Sequence, residues 1–157
     1  MVFLIITTLF CVIDQLSKFY AEARLVPFKS IPVLNGWFSL TYVKNYGAAF
    51  GILNSQTYLL IAISLAVFAV VFLNRKQILK YPKIFQFGLA IALGGALGNL
   101  IDRIRLGYVI DFIQLDFINW PVFNIADIAI VVGVGIIFYG MIIDNLKKRK
   151  PKQMMYE

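Results

Sequence analysis

The chain has 157 residues, 61% of them hydrophobic and only 15% charged, with a formal net charge of +7. That balance excludes an ordinary soluble domain and places the chain among membrane proteins, with a length suited to a single domain spanning 1–157. Histidine is absent and Cys11 is the single cysteine, which excludes histidine triads, His/Cys zinc sites and internal disulfides.

Residues 2–21 are apolar apart from Thr7, Thr8, Cys11 and a short polar stretch around Asp14 and Lys18. The run lacks the basic leader and small-residue cleavage site of a secretory signal, and Phe10 spoils a lipobox at Cys11. A retained transmembrane helix is expected, long enough to span at about 1.5 Å per residue. Residues 22–54 form a long connection with Pro27, Pro32, an Asn35-Gly36 turn signal and a β-favouring run from Trp37 to Val43. That pattern predicts a small hairpin or sheet. Its aromatic residues suit a membrane interface.

Residues 56–73 are a second spanning helix without internal charge. Residues 74–83 are a short basic loop. Residues 84–102 read as the third helix, rich in small residues, with Gly94 and Gly98 spaced for close helix approach. Residues 103–121 form a second loop. Residues 122–143 are the fourth helix, with Pro121 near its start.

Lysine and arginine set the orientation. Arg75, Lys76, Lys80 and Lys83 cluster in the 74–83 loop, and Lys147, Lys148, Arg149, Lys150 and Lys152 in the tail. Such clusters mark the cytoplasmic side, so both termini are expected there, with loops 22–54 and 103–121 facing outward. The basic clusters act as topology signals that attract anionic lipid, and nucleic acid is not an expected partner.

This topology brings uncommon polar residues to one leaflet. Asp14 lies about 18 Å along its helix, past the midplane, with Lys18 one turn further. Asn99, Asp102 and Arg103 end the third helix. Asn124 and Asp127 begin the fourth. Ionisable groups at such depth are costly unless paired or functional. Asp14 and Lys18 form an i, i+4 ion pair, read as structural, and Asp102–Arg103 is read likewise. Asp111, amid Tyr108, Val109, Ile110, Phe112 and Ile113, and Asp127 lack an obvious local cation and are the candidates for a catalytic pair. Two close carboxylates repel, so one ionises and its neighbour keeps a proton.

Five short motifs in order then carry a resemblance: Asp14-Gln15-x-x-Lys18, Asn45-x-Gly47-Ala48-Ala49-Phe50, Gly94-Gly95-Ala96-x-Gly98-Asn99-x-x-Asp102-Arg103, Val109-Ile110-Asp111-Phe112 and Phe123-Asn124-x-Ala126-Asp127. With the hydropathy profile, they make the chain resemble the lipoprotein signal peptidases, the bacterial signal peptidase II family of membrane aspartyl proteases. The resemblance implies a membrane all-α bundle of four transmembrane helices with a small extracytoplasmic β-cradle and a short amphipathic helix. It implies cleavage before the diacylglyceryl-modified cysteine of prolipoproteins, with Asp111 and Asp127 as the dyad.

In this reading Asn45, Gly47, Asn99, Arg103 and Asn124 bind substrate or orient the dyad, and Asp14, Lys18 and Asp102 are structural. No cofactor and no metal is expected. The partners are lipidated prolipoproteins and membrane lipid, and the chain works as a monomer. Two other readings stand beside it: a metal-dependent lipid-headgroup enzyme, with clustered carboxylates holding Mg²⁺, and a small ion-coupled transporter.

Overall fold

The computed structural model describes residues 1–27, 29–48 and 52–153, with side chains described to residue 146. Ala49 and Phe50 of the second motif, and the side chains of the basic tail, lie outside the described residues.

Apolar sequence forms the long helices: α1 (Val2–Arg24), α2 (Thr57–Leu73), α4 (Lys83–Leu106) and α5 (Ile125–Gln153), with a short α3 (Arg75–Ile78) in the basic loop. Three of them, α1, α4 and α5, are long and apolar enough to cross a membrane, and α2 is a shorter apolar helix of 17 residues. The helix α4 is central. It packs against α5, α1 and α2 and carries most of the buried helical residues.

Small residues make this packing possible. A Cβ at Gly94 would come within 2.7 Å of both the Thr7 carbonyl and the Phe10 side chain on α1. At Gly98 it would overlap the Asp14 carboxylate, and at Gly95 the Ala126 carbonyl of α5. The expected close approach at Gly94 and Gly98 is therefore met, and it is α1 that approaches.

A three-stranded antiparallel sheet, β1 (Ile31–Leu34), β2 (Phe38–Asn45) and β3 (Val109–Leu115), lies beyond the helix ends in the order β1-β2-β3. The Asn35-Gly36 signal marks the β1–β2 turn, where Gly36 has φ +76°. β3 occupies part of what the sequence presents as loop 103–121. Its first four residues are all buried, so the polar/apolar alternation that betrays a half-exposed strand is missing.

Three further expectations are corrected. The third helix continues to Leu106 and ends on Gly107, whose left-handed φ of +81° lets its N–H donate to the Arg103 carbonyl. The last helix starts at Ile125 rather than 122, because Phe123 pairs with Ile113 of β3 through reciprocal backbone hydrogen bonds. The outward loops hold no separate helix among their described residues.

Candidate active site

The site forms where the C-terminal halves of α1 and α4, the start of α5 and strand β3 meet. The Phe123–Ile113 bridge is decisive, because it lays the residue before α5 alongside Asp111. That residue, Asn124, caps α5. Its side-chain oxygen accepts the Asp127 N–H at 2.9 Å, and Asp127 Oδ2 accepts the Asn124 N–H at 3.2 Å. This reciprocal arrangement is a capping box, which satisfies two helix donors and fixes the Asp127 side chain at the positive end of α5.

The Asn124 Nδ2 donates to Asp111 Oδ1 at 2.6 Å, so one residue holds both carboxylates. Asp111 Oδ2 accepts from Asn45 Nδ2 at 2.8 Å. Asn45 pairs with Val109 in the sheet, which places Asp111 diagonally across the β2–β3 ladder. Asp127 Oδ1 accepts from Asn99 Nδ2 at 2.9 Å. Among the described residues these donors are all amide N–H groups, and neither carboxylate has a direct cationic partner.

The environments of the two acids differ. Asp111 is buried on its strand, whereas Asp127 is partly open. Burial, and then the neighbouring Asp127 charge, push the Asp111 carboxyl up to about 7, against the opposing hydrogen bonds from Asn45 and Asn124.

Gly47 and Arg103 support this geometry from outside. The Gly47 N–H donates to Asn45 Oδ1 at 2.9 Å, which turns the Asn45 amide nitrogen toward Asp111. Arg103 Nη2 donates to the Gly47 carbonyl at 2.9 Å, tying the strand end to α4, and its charge interacts with both Asp127 and Asp111. A side chain at Gly47 would press on the Ile52 carbonyl at 3.0 Å.

Asp14, Lys18 and Asp102 form a second, adjoining cluster. Lys18 Nζ lies 2.9 Å from Asp14 Oδ2 and 3.0 Å from Asp102 Oδ2. The expected Asp102–Arg103 ion pair is therefore corrected: the partner of Asp102 is Lys18, and Arg103 turns to Gly47. Adjacent helix residues point about 100° apart, so they rarely share a partner. Asp14 Oδ1 also accepts the Ala126 N–H at 2.9 Å, which fastens α5 to α1.

Gln15, part of the first motif but given no role there, joins this cluster. Its amide donates to the Gly98 carbonyl at 3.1 Å and to Asp102 at 2.9 Å. Its place next to Asp14, within an apolar helix, was the available signal. Among the described residues no buried side-chain nitrogen or oxygen lacks a hydrogen-bond partner.

One buried and one partly open carboxylate, both held by amides beside apolar helices, are the features to compare with known proteins. The fold matches a solved bacterial membrane enzyme, determined by the in meso method, with a TM-score of 0.87 and 27% identity over 94% of this chain and 92% of that one. The chain belongs to the signal peptidase (SPase) II family, whose model matches residues 6–143, and it is accordingly a peptidase. It is 43% identical to the lipoprotein signal peptidase of Moorella thermoacetica over 91% of this chain and 94% of that protein. It is 39% identical to that of Geobacter metallireducens over 95% of each.

Proposed function

We propose that this chain is an aspartic endopeptidase that removes the signal peptide from diacylglyceryl-modified prolipoproteins, cutting before the lipidated cysteine, with Asp111 and Asp127 as the catalytic pair. The observation that carries the reading is Asn124, whose side chain holds Asp111 while its backbone holds Asp127. Family membership and the names of the relatives support the substrate class.

The asymmetry of the pair supports a division of roles. Asp127, partly open and at a helix start, carries the charge and takes a proton from the attacking water. Asp111, buried and held near 7, keeps its proton and delivers it to the scissile carbonyl oxygen. In the resulting diol, Asp127 passes its proton to the leaving amine as the C–N bond breaks. One diol hydroxyl returns a proton to Asp111, which restores the starting state.

Asn45 and Gly47 line the approach and bind the substrate main chain, and Arg103 holds their segment in place. The chain is proposed to work as a monomer. In the bilayer α2 serves as the fourth span, since 17 residues reach the lower limit for crossing. The basic 74–83 loop and both termini face the cytoplasm and the sheet faces outward, where the substrate's acyl chains lie in the same leaflet.

The test is cleavage of a lipidated prolipoprotein by Asp111→Asn and Asp127→Asn proteins that remain folded in detergent. Both lose activity; substantial cleavage by either removes the pair from the reaction. Unchanged activity with EDTA separates this reading from the metal-dependent lipid-headgroup alternative.

A further inference from the structure

We infer that Lys18 is a positioning residue for Asp127, acting through Asn99, and not only a member of a structural ion pair. The inference rests on the assignment of Asp127 to the catalytic pair and deepens it. An ammonium has three protons and no acceptor. In Lys18 all three are spoken for: Asp14 Oδ2 at 2.9 Å, Asp102 Oδ2 at 3.0 Å and Asn99 Oδ1 at 2.8 Å. The two carboxylates hold the ammonium in place, and the third proton fixes the Asn99 amide.

That third contact has a directional consequence. Because Lys18 only donates, Asn99 must present its oxygen to it, and its Nδ2 then points the other way, to Asp127 Oδ1 at 2.9 Å. Asn124 Nδ2 reaches the same Asn99 oxygen at 3.2 Å, which adds a second donor enforcing this orientation. A flipped amide would set N–H against N–H at Lys18 and oxygen against oxygen at Asp127. The cation thereby ensures that Asp127 faces a donor.

Lys18 and Asn99 are both buried, so no solvent competes for either contact. Asp127 lies in the first turn of α5, whose Ala126 N–H is itself held by Asp14. The same ion cluster therefore sets the height of the helix start and the direction of the amide that touches it.

A double-mutant cycle on turnover tests this, with melting in detergent followed alongside. Lys18→Arg keeps the charge but replaces the compact ammonium that reaches Asn99 with a longer, rigid planar fork. It lowers kcat about 10-fold with KM within about 2-fold. Asn99→Ala leaves the Asp14–Lys18–Asp102 cluster intact and lowers kcat by a similar factor. In the Asn99→Ala background, Lys18→Arg costs less than about 2-fold further, because the link is already gone.

Equal losses in both backgrounds, or a lowered melting temperature with normal kcat, overturn the proposal and leave Lys18 purely structural. Where Lys18→Arg does not fold, Asn99→Asp serves instead: it keeps the oxygen facing Lys18 and removes the donor to Asp127, so full turnover by a folded Asn99→Asp protein overturns the proposal. The dyad assignment fails separately, through activity in Asp127→Asn.

Discussion

Two pairs of carboxylates sit side by side at the end of this bundle, and they are stabilised in opposite ways. Asp14 and Asp102 share the Lys18 ammonium. Asp111 and Asp127 share asparagine amides. A cation compensates buried charge in the first pair, which suits a structural joint. Amides orient a carboxylate without neutralising it, so the mutual repulsion of the second pair is retained. Asn99 lies between the two clusters and belongs to both.

The comparison can be broken most forcefully by swapping consequences. Asp127→Asn is expected to lower cleavage by about 10²–10⁴-fold with the melting temperature nearly kept, the usual yield of general acid–base catalysis. Substitution in the first cluster should add a large loss of stability to a smaller loss of turnover. Lys18→Met leaves two buried carboxylates without their cation and is expected to destabilise the protein by about 3–5 kcal/mol, read by thermal unfolding in detergent.

A pH titration sharpens the contrast. Asp111 holds its proton up to about 7, well above the ordinary carboxylate value of 3.8. Cleavage should therefore fall as pH rises through about 7. Stability should fall in the same direction: the contribution of the retained proton is complete below about pH 4 and is lost as pH climbs through about 7. A basic limb lying above pH 9 contradicts the assignment of Asp111 as the acid. A smaller effect is expected from Gly98→Ala, whose methyl collides with Asp14, at about 1–3 kcal/mol of stability. The smallest belongs to the exposed face of α2, where Val67→Ala should stay within about 0.5 kcal/mol.

Much of this was legible in the residues. The apolar runs located the long helices, Asn35-Gly36 located the hairpin turn, and the acids flanked by apolar neighbours located the polar network. The features without a local signal have physical reasons. β3 is buried along its first half, so its sequence shows no alternation. The Phe123–Ile113 bridge is a long-range backbone contact, and no local signal announces that it delays the start of α5 to Ile125. The Asp102–Arg103 reading failed because adjacency along a helix separates side chains. Lys18 lies 84 positions from Asp102, and only the approach of α1 to Gly94 and Gly98 brings them together.

Asn124 has a consequence for inhibition. It begins the last helix and also grips Asp111, so under the proposed mechanism folding and turnover draw on one side chain. Replacing it to escape a drug would fray the first turn of α5, at about 1 kcal/mol, as well as release the acid. Compounds anchored on this amide therefore press against a position where resistance is expensive to evolve.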